Sequence, residues 1–327
     1  MIALGIESTA HTFGVGIVNE NGDILASVRD MFKPELGKGF TPYELAEHHF
    51  HISNKVLDTV LKDSKLKLED IDIIAFSQGM GIPNSLKVGA VLARYLALKY
   101  KKPLIGVNHG VAHIEVGKLK GGAKDPVFVY LSGGNSQILA YVDGRYRVFG
   151  ETQDIPVGNA IDVLAREMGL SMPGGPEIEK LAKAGKFIDL PYVVKGMDMS
   201  FTGIMTAATE NFKEGASKED ISYSMQEVCF SMLTEVTERS LAHTNKTEVL
   251  LVGGVAANKR LQEMMKIMCE ERNAKFYVVP QEYSGDNGIM IAWAGILAYN
   301  AGQELEIKDS FVRQNWRTED VEIEWLK

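Results

Sequence analysis

Leu104–Gln137, LIGVNHGVAHIEVGKLKGGAKDPVFVYLSGGNSQ, is the stretch on which the reading of this chain turns. It holds His109 and His113, four residues apart, and then an apolar run, Val127–Leu131, that opens into Ser132-Gly133-Gly134-Asn135-Ser136. Side chains four apart share one face of a helix, so both imidazoles can reach one metal ion. A strand ending in small, amide-rich residues can lay its backbone N–H groups against phosphate. The combination points to metal-assisted chemistry on a nucleotide-like substrate. The same stretch divides the chain, because the pattern that ends in the histidine helix starts again at Asp125-Pro126.

Before it, Ile2–Ile6, Thr12–Val18 and Ile24–Arg29 read as strands, with Asn21-Gly22 as a hairpin turn. Thr41-Pro42 opens a helix that runs to about Lys62, proline sitting in its first turn. Asp72–Ser77 is a buried strand whose glycine-rich exit, Gln78–Ser85, leads into a helix over Leu86–Tyr100, followed by a short strand at Leu104–Val107. After Pro126 come strands at Val127–Leu131, Ser136–Val142 and Tyr146–Phe149, with Asp143-Gly144 as the second hairpin turn. Helices follow at Gly158–Met168 and Pro176–Ala184, then an irregular stretch, Lys186–Thr202, that has the character of a surface insertion. A helix at Lys218–His243, a strand at Glu248–Val252 opening into Gly253–Asn258, a helix to Arg272, a strand at Lys275–Val279 and a helix at Asn287–Ala301 complete the reading.

The order of three strands, helix, strand, helix therefore occurs twice, offset by roughly 125 residues. A duplicated α/β unit is the plan of actin-like ATPases and sugar kinases; the alternative is an ordinary α/β protein with coincidental symmetry. The expected fold is a duplicated actin-like ATPase (ASKHA) fold with two lobes around a nucleotide cleft. The expected boundaries are 1–123 for the N-terminal lobe and 124–327 for the C-terminal lobe, with an irregular insertion near 186–217 and the option that the last residues pack back on the N-terminal lobe.

Composition narrows the class. With 327 residues two lobes are the default, and 45% hydrophobic with 24% charged residues is ordinary for a globular protein. No apolar run approaches the roughly 18 residues of a membrane span, and MIALGIEST reads as a first strand rather than a signal peptide. Cys229 and Cys269 lack metal spacing and suggest a reducing, cytoplasmic home. The net charge of −8 is unlike that of a protein that grips nucleic acid unaided, so an RNA substrate would need a local basic patch or a partner.

IESTAHTFGVGI, GMGIPNSLKVG, GVNHGVAHIEVG, VYLSGGNSQI, GGPEIEKLA, SFTGI, VGGVAANKRL and YSGDNGIMIAW, in this order, resemble the tRNA N6-adenosine threonylcarbamoyltransferases. The archaeal and eukaryotic branch, the catalytic subunit of the KEOPS complex, fits best; such proteins once carried the label O-sialoglycoprotein endopeptidase. The resemblance covers essentially the whole chain and implies an acyltransferase. It would move a threonylcarbamoyl group from threonylcarbamoyl-AMP to N6 of the adenosine beside the anticodon in tRNAs reading codons that begin with A. It also implies a kinase-like ATPase partner and small accessory subunits. The protease label is poorly served by the residues: the zinc-protease pattern puts a glutamate directly after the first histidine, and Gly110 stands there.

The resemblance implies a metal held by His109, His113, Tyr130 and Asp286, a donor set that suits iron or zinc better than magnesium; iron is preferred on family grounds. Asp286, at a helix start, would also suit an N-cap. The resemblance places substrate on Tyr130, Leu131, Ser132, Gly133, Gly134 and Asn135, for which a plain hairpin turn is the bland account. It places the nucleoside on Asp162, Gly175, Glu179, Gly253, Gly254 and Asn258. Asp162 would equally suit a first-turn charge. No residue stands out as a nucleophile. Glu7 and His11 sit where sugar kinases and actins keep a phosphate-and-metal aspartate, which weakens a metabolite-kinase or ATPase alternative; a nucleotide-binding scaffold is a third reading. His48, His49 and His51 are expected on an exposed, partner-facing helix. Lys33, Lys38, Lys87, Arg94, Lys99, Lys101 and Lys102 are candidates for an RNA-facing patch.

Overall fold

The computed structural model describes residues 1–34 and 40–326; Lys38 lies outside them. In chain order the regular elements are β1 (Ile2–Glu7), β2 (Thr12–Asn19), β3 (Ile24–Met31), α1 (Pro42–Ser64), β4 (Ile73–Gly79), α2 (Pro83–Tyr100), β5 (Leu104–Asn108) and α3 (His109–Gly121). There follow β6 (Val127–Leu131), β7 (Ser136–Val142), β8 (Arg145–Glu151), α4 (Val157–Glu167), α5 (Gly174–Ala182), β9 (Val194–Lys195), β10 (Asp198–Met199), α6 (Thr202–Lys213) and α7 (Lys218–Thr244). The last are β11 (Glu248–Val252), α8 (Lys259–Glu271), β12 (Lys275–Val278), α9 (Gln281–Ser284) and α10 (Gly288–Asn300).

Two five-stranded sheets share one plan. The first has the order β3-β2-β1-β4-β5 and the second β12-β11-β6-β7-β8. In the first, β1 pairs antiparallel with β2 and parallel with β4; in the second, β6 pairs antiparallel with β7 and parallel with β11. The repeat seen in the sequence is thus a repeat of sheet topology.

The chain divides into two compact units. One holds residues 1–119, 142–146 and 285–327, the other 120–141 and 147–284. Residues 285–327 group with the first unit, and the element that carries them there is α10. Its sequence, GIMIAWAGILAYN, is apolar all round, and such a helix must be covered on more than one side. It lies against β1, β2, β4 and β5 of the first unit. Close approach is possible because three glycines meet there: a Cβ on Gly5 would overlap the Ala292 and Gly288 backbone, and one on Gly16 the Ile289 backbone. Burial of Ile289, Met290, Ile291 and Ile296 contributes roughly 1.5–3 kcal/mol each as an upper estimate.

In the first unit, α1 begins with a capping box: the Glu44 amide donates to Thr41 Oγ1 at 3.2 Å and the Thr41 amide to Glu44 Oε2 at 2.7 Å. His48 and His49 correct the exposed-helix expectation. His49 is 0% exposed, its Nε2 donating to the Ala10 carbonyl at 2.9 Å, and His48 pairs with Asp30; only His51 faces solvent. The cause is a helix stripe that buries Leu45, His49, Ser53, Val56 and Val60 at three- and four-residue steps. Arg94 is also corrected: its guanidinium bonds Ser310 Oγ at 2.7 Å and the Ser310 carbonyl, so it holds the C-terminal segment.

In the second unit, the expected irregular insertion is only partly irregular. Lys186–Thr202 contains the two-residue strands β9 and β10, but Thr202–Lys213 is the helix α6, which buries Ile204 and Ala208 one turn apart. Met199 and Phe201 are core residues. Cys229 and Cys269 are buried and unbridged.

Candidate functional site

The first unit gathers His109, His113 and Asp286. Asn108, at the end of β5, starts α3 by accepting the Val111 amide on Oδ1 at 3.1 Å, and this places both histidines on one side of the helix. Their rings meet edge to face with centroids 4.7 Å apart. Asp286 Oδ1 lies 3.2 Å from His113 Nε2 and 3.6 Å from His109 Nε2. One nitrogen from each histidine and one carboxylate oxygen all fall within 4.8 Å of one another. Asp286 is not the cap of α10, as its position suggested. Asn287 caps the helix, accepting the Met290 amide at 2.9 Å, while the Asp286 carboxylate turns to the histidines.

Behind His109 stands Glu7, 0% exposed, at the end of β1. Its Oε2 lies 3.1 Å from His109 Nδ1, and its Oε1 accepts the Thr9 amide at 2.7 Å and the Thr9 hydroxyl. A carboxylate on Nδ1 directs Nε2 outward, the arrangement usual behind metal-bound histidines. Burial would lower the basicity of His109, but the Glu7 carboxylate and Asp286 prevail and raise its pKa to about 9. His113 is lowered, by burial first, against its hydrogen bond to Asp286. Burial would raise Asp286, and the His113 hydrogen bond with the charge of His109 holds it below the usual carboxylate range instead. Two carboxylates thus surround a place built for positive charge. Two imidazoles and a carboxylate fit a borderline divalent ion such as zinc or iron.

The second unit carries the other expected positions. Tyr130 and Leu131 are fully buried at the end of β6, and the Tyr130 hydroxyl accepts from Asn135 Nδ2 at 3.4 Å. Ser132–Asn135 forms a tight turn: the Ser132 amide donates to the Asn135 carbonyl at 2.8 Å, and Ser132 Oγ accepts the Gly134 and Asn135 amides. Gly133 and Gly134 face open space. The start of α4 lies directly beneath, since a Cβ on Gly158 would overlap the Ser132 carbonyl. The neighbouring parallel strand β11 leads into Gly253, whose φ of +90° and contact with the Leu131 carbonyl both require glycine. Two adjacent parallel strands therefore deliver glycine loops at their carboxyl ends, where open α/β sheets bind ligands.

The expected nucleoside residues prove to be helix caps as well. Asp162 Oδ1 accepts the Gly174 amide at 2.8 Å at the start of α5; it does not lie in the first turn of its own helix. Glu179 Oε1 accepts the Lys259 amide at 2.8 Å, and Asn258 caps α8 through the Arg260 and Leu261 amides. Asn258 Nδ2 donates to Gln226 Oε1 at 2.7 Å. Gly175 and Gly254 have open space where a side chain would stand. Thr9 and Gln226 were not singled out by sequence reasoning; Ser-Thr after a strand was the only trace of the first, and a residue in mid-helix gave no trace of the second.

Solved structures with this architecture identify the fold class. The chain superposes with a TM-score of 0.63 on HypF of T. kodakarensis, at 17% identity over 92% of this chain and 47% of that one. It superposes with 0.56 on the activator of 2-hydroxyisocaproyl-CoA dehydratase from Clostridium difficile with bound ADPNP, at 14% identity over 93% and 97%. The fold is that of the actin-like ATPases. Sequence comparison is narrower: residues 23–293 match the family model of tRNA N6-adenosine threonylcarbamoyltransferase. Proteins of that name from Thermococcus sibiricus and Archaeoglobus fulgidus are each 55% identical, over 99% of this chain and the whole of each relative. A probable bifunctional tRNA threonylcarbamoyladenosine biosynthesis protein of Methanocaldococcus jannaschii is 53% identical over the full chain, which spans 61% of that protein. The chain belongs to the tRNA N6-adenosine threonylcarbamoyltransferase family, a family of transferases.

Proposed function

We propose that this protein transfers the threonylcarbamoyl group of threonylcarbamoyl-AMP to N6 of the adenosine next to the anticodon in tRNAs reading codons that begin with A. Family membership supports the reaction, and the observation that carries the site is the convergence of His109, His113 and Asp286 with Glu7 behind. The adenine amine attacks the carbamoyl carbon, a C–N bond forms, the C–O bond to phosphate breaks, the amine loses a proton, and AMP leaves. Bound between the histidines and Asp286, iron or zinc would supply a Lewis acid for a donor oxygen; Tyr130 is kept as a further ligand on the resemblance alone.

The chain's own residues then bind and orient. Tyr130 to Asn135 would hold the donor's phosphate and carbamoyl end, while Asp162, Gly175, Glu179, Gly253, Gly254 and Asn258 would take the nucleoside. With the adenine amine as the nucleophile and none from the protein, the rate rests on positioning and electrostatic stabilisation.

The chain's −8 charge supports help from a basic partner in gripping tRNA. The KEOPS subunits are the proposed partners, and the cytoplasm the proposed location. Among the described residues no helix is long and apolar enough to cross a membrane.

The test is a transfer assay with metal-loaded protein, partner subunits, tRNA transcript and threonylcarbamoyl-AMP, read by nucleoside mass spectrometry. His109→Ala with His113→Ala abolishes transfer; full activity in that variant excludes a metal-centred site, and phosphorylation of a small molecule without tRNA favours a kinase.

A further inference from the structure

Every residue of α3 from His109 to Gly117 is buried. A helix covered all round has no apolar face that selects one rotation about its axis, yet the histidines must face Asp286. Glu115 lies two residues beyond His113, about 200° around the helix. It is 3% exposed. Its Oε1 accepts the Tyr146 hydroxyl and the Trp325 indole N–H, the latter at 3.0 Å, and Lys118 Nζ stands 3.6 Å from Oε2. A buried carboxylate with fixed donors specifies an arrangement more than it stabilises one.

One of these donors, Trp325, belongs to a segment that runs beside α3 in the same direction. Asn108 Nδ2, at the helix start, donates to the Trp316 carbonyl at 2.8 Å. Two residues on, Gly110 presses against Thr318, whose hydroxyl a Cβ would overlap. Trp325 then reaches Glu115. The hairpin bearing Tyr146 is tied to the same segment, the Ile323 amide donating to the Gly144 carbonyl at 2.8 Å and Arg145 pairing with Glu322 at 2.9 Å.

We propose that Glu115 and the segment Trp316–Trp325 form a brace that sets the rotation of α3, which makes Glu115 and Trp325 positioning residues for the metal site. This rests on the metal reading of His109, His113 and Asp286. The brace works from the side opposite the ligands, through one carboxylate, and touches neither substrate nor metal.

Metal-stripped full-length protein is titrated with Zn2+ against a chromophoric chelator, alongside thermal unfolding. Glu115→Gln and Trp325→Phe each weaken zinc binding by about 10-fold, the low end of the range for groups bonded directly to the ligands, because the brace acts through the helix. The double variant is no weaker than the worse single one, since Trp325→Phe removes the donor of one contact and Glu115→Gln takes the charge from its acceptor. Val60→Ala, a core truncation in α1 of the same unit, lowers the unfolding temperature and leaves zinc affinity within about twofold. Unchanged affinity in the two brace variants overturns the proposal, as does an equal loss in Val60→Ala. If Glu115→Gln fails to fold, Trp325→Phe, which keeps the carboxylate, decides alone. Wild-type protein that takes up no zinc or ferrous iron removes the metal reading itself, a result distinct from a brace that fails.

Discussion

Glu7 accepts from Thr9 twice and faces His109 Nδ1, so one side chain decides which imidazole nitrogen is presented to Asp286. Glu7→Gln is expected to weaken zinc binding by about 10–100-fold with little change in size, measured by the same chelator competition. His49 makes a separate prediction. Burial first, then the neighbouring charge of His48, lowers its pKa to about 4, with His11 adding to that effect and Asp30 and the Ala10 carbonyl opposing it. The folded state therefore binds this proton less readily than the unfolded chain. Stability is full above the unfolded value near 6.5 and falls as pH drops from there toward 4, by up to about 3 kcal/mol. His49→Gln should flatten that acid limb in urea unfolding followed at pH 4 to 7. At this scale the sequence was informative where proximity depends on spacing, as for the rings of His109 and His113. It left the answer open where a role depends on which way a side chain turns: Asp286 and Asn287 are equally good caps on paper, and in the fold Asn287 takes the cap while Asp286 turns to the histidines.

Among the elements, α10 is held where side chains are missing. Gly5→Ala or Gly16→Ala puts a methyl into the α10 backbone, and backbone cannot yield as a flexible side chain does. Either substitution should cost about 3 kcal/mol or more, read as a fall in the urea midpoint, and should loosen Asp286 at the start of that helix. Strand and helix positions were largely legible because alternation and glycine turns are local signals. β6, β7 and β11 fall where periodicity places them. The helix α6 was hidden because its buried stripe is only Ile204 and Ala208, too few apolar positions to stand out. The burial of His49 was hidden because a histidine-rich stretch reads as polar while its neighbours four residues apart on either side, Leu45 and Ser53, are both inside.

For the molecule as a whole, the repeated sheet order was visible in the repeat of hydrophobic runs, whereas the return of the last residues to the N-terminal lobe could be read only as an option. Sequence distance conceals that residues 285–327 belong with residues 1–119, because nothing local to α10 names the sheet it covers. A fragment of residues 1–123 lacks the helix that lies on β1, β2, β4 and β5. It should lack a cooperative thermal transition by circular dichroism, whereas adding residues 285–327 in trans should restore one. A native-like transition in the fragment alone would show that α10 is dispensable to that sheet.

The split also orders events on the ribosome. Synthesis runs from the amino end and domains complete as their last segment emerges. All strands of the unit holding residues 147–284 are translated ahead of α10, so that unit can mature first while the earlier-made sheet waits, one side uncovered, for this late helix. A cell making this protein must shield that waiting surface longest in the part of the chain it made earliest.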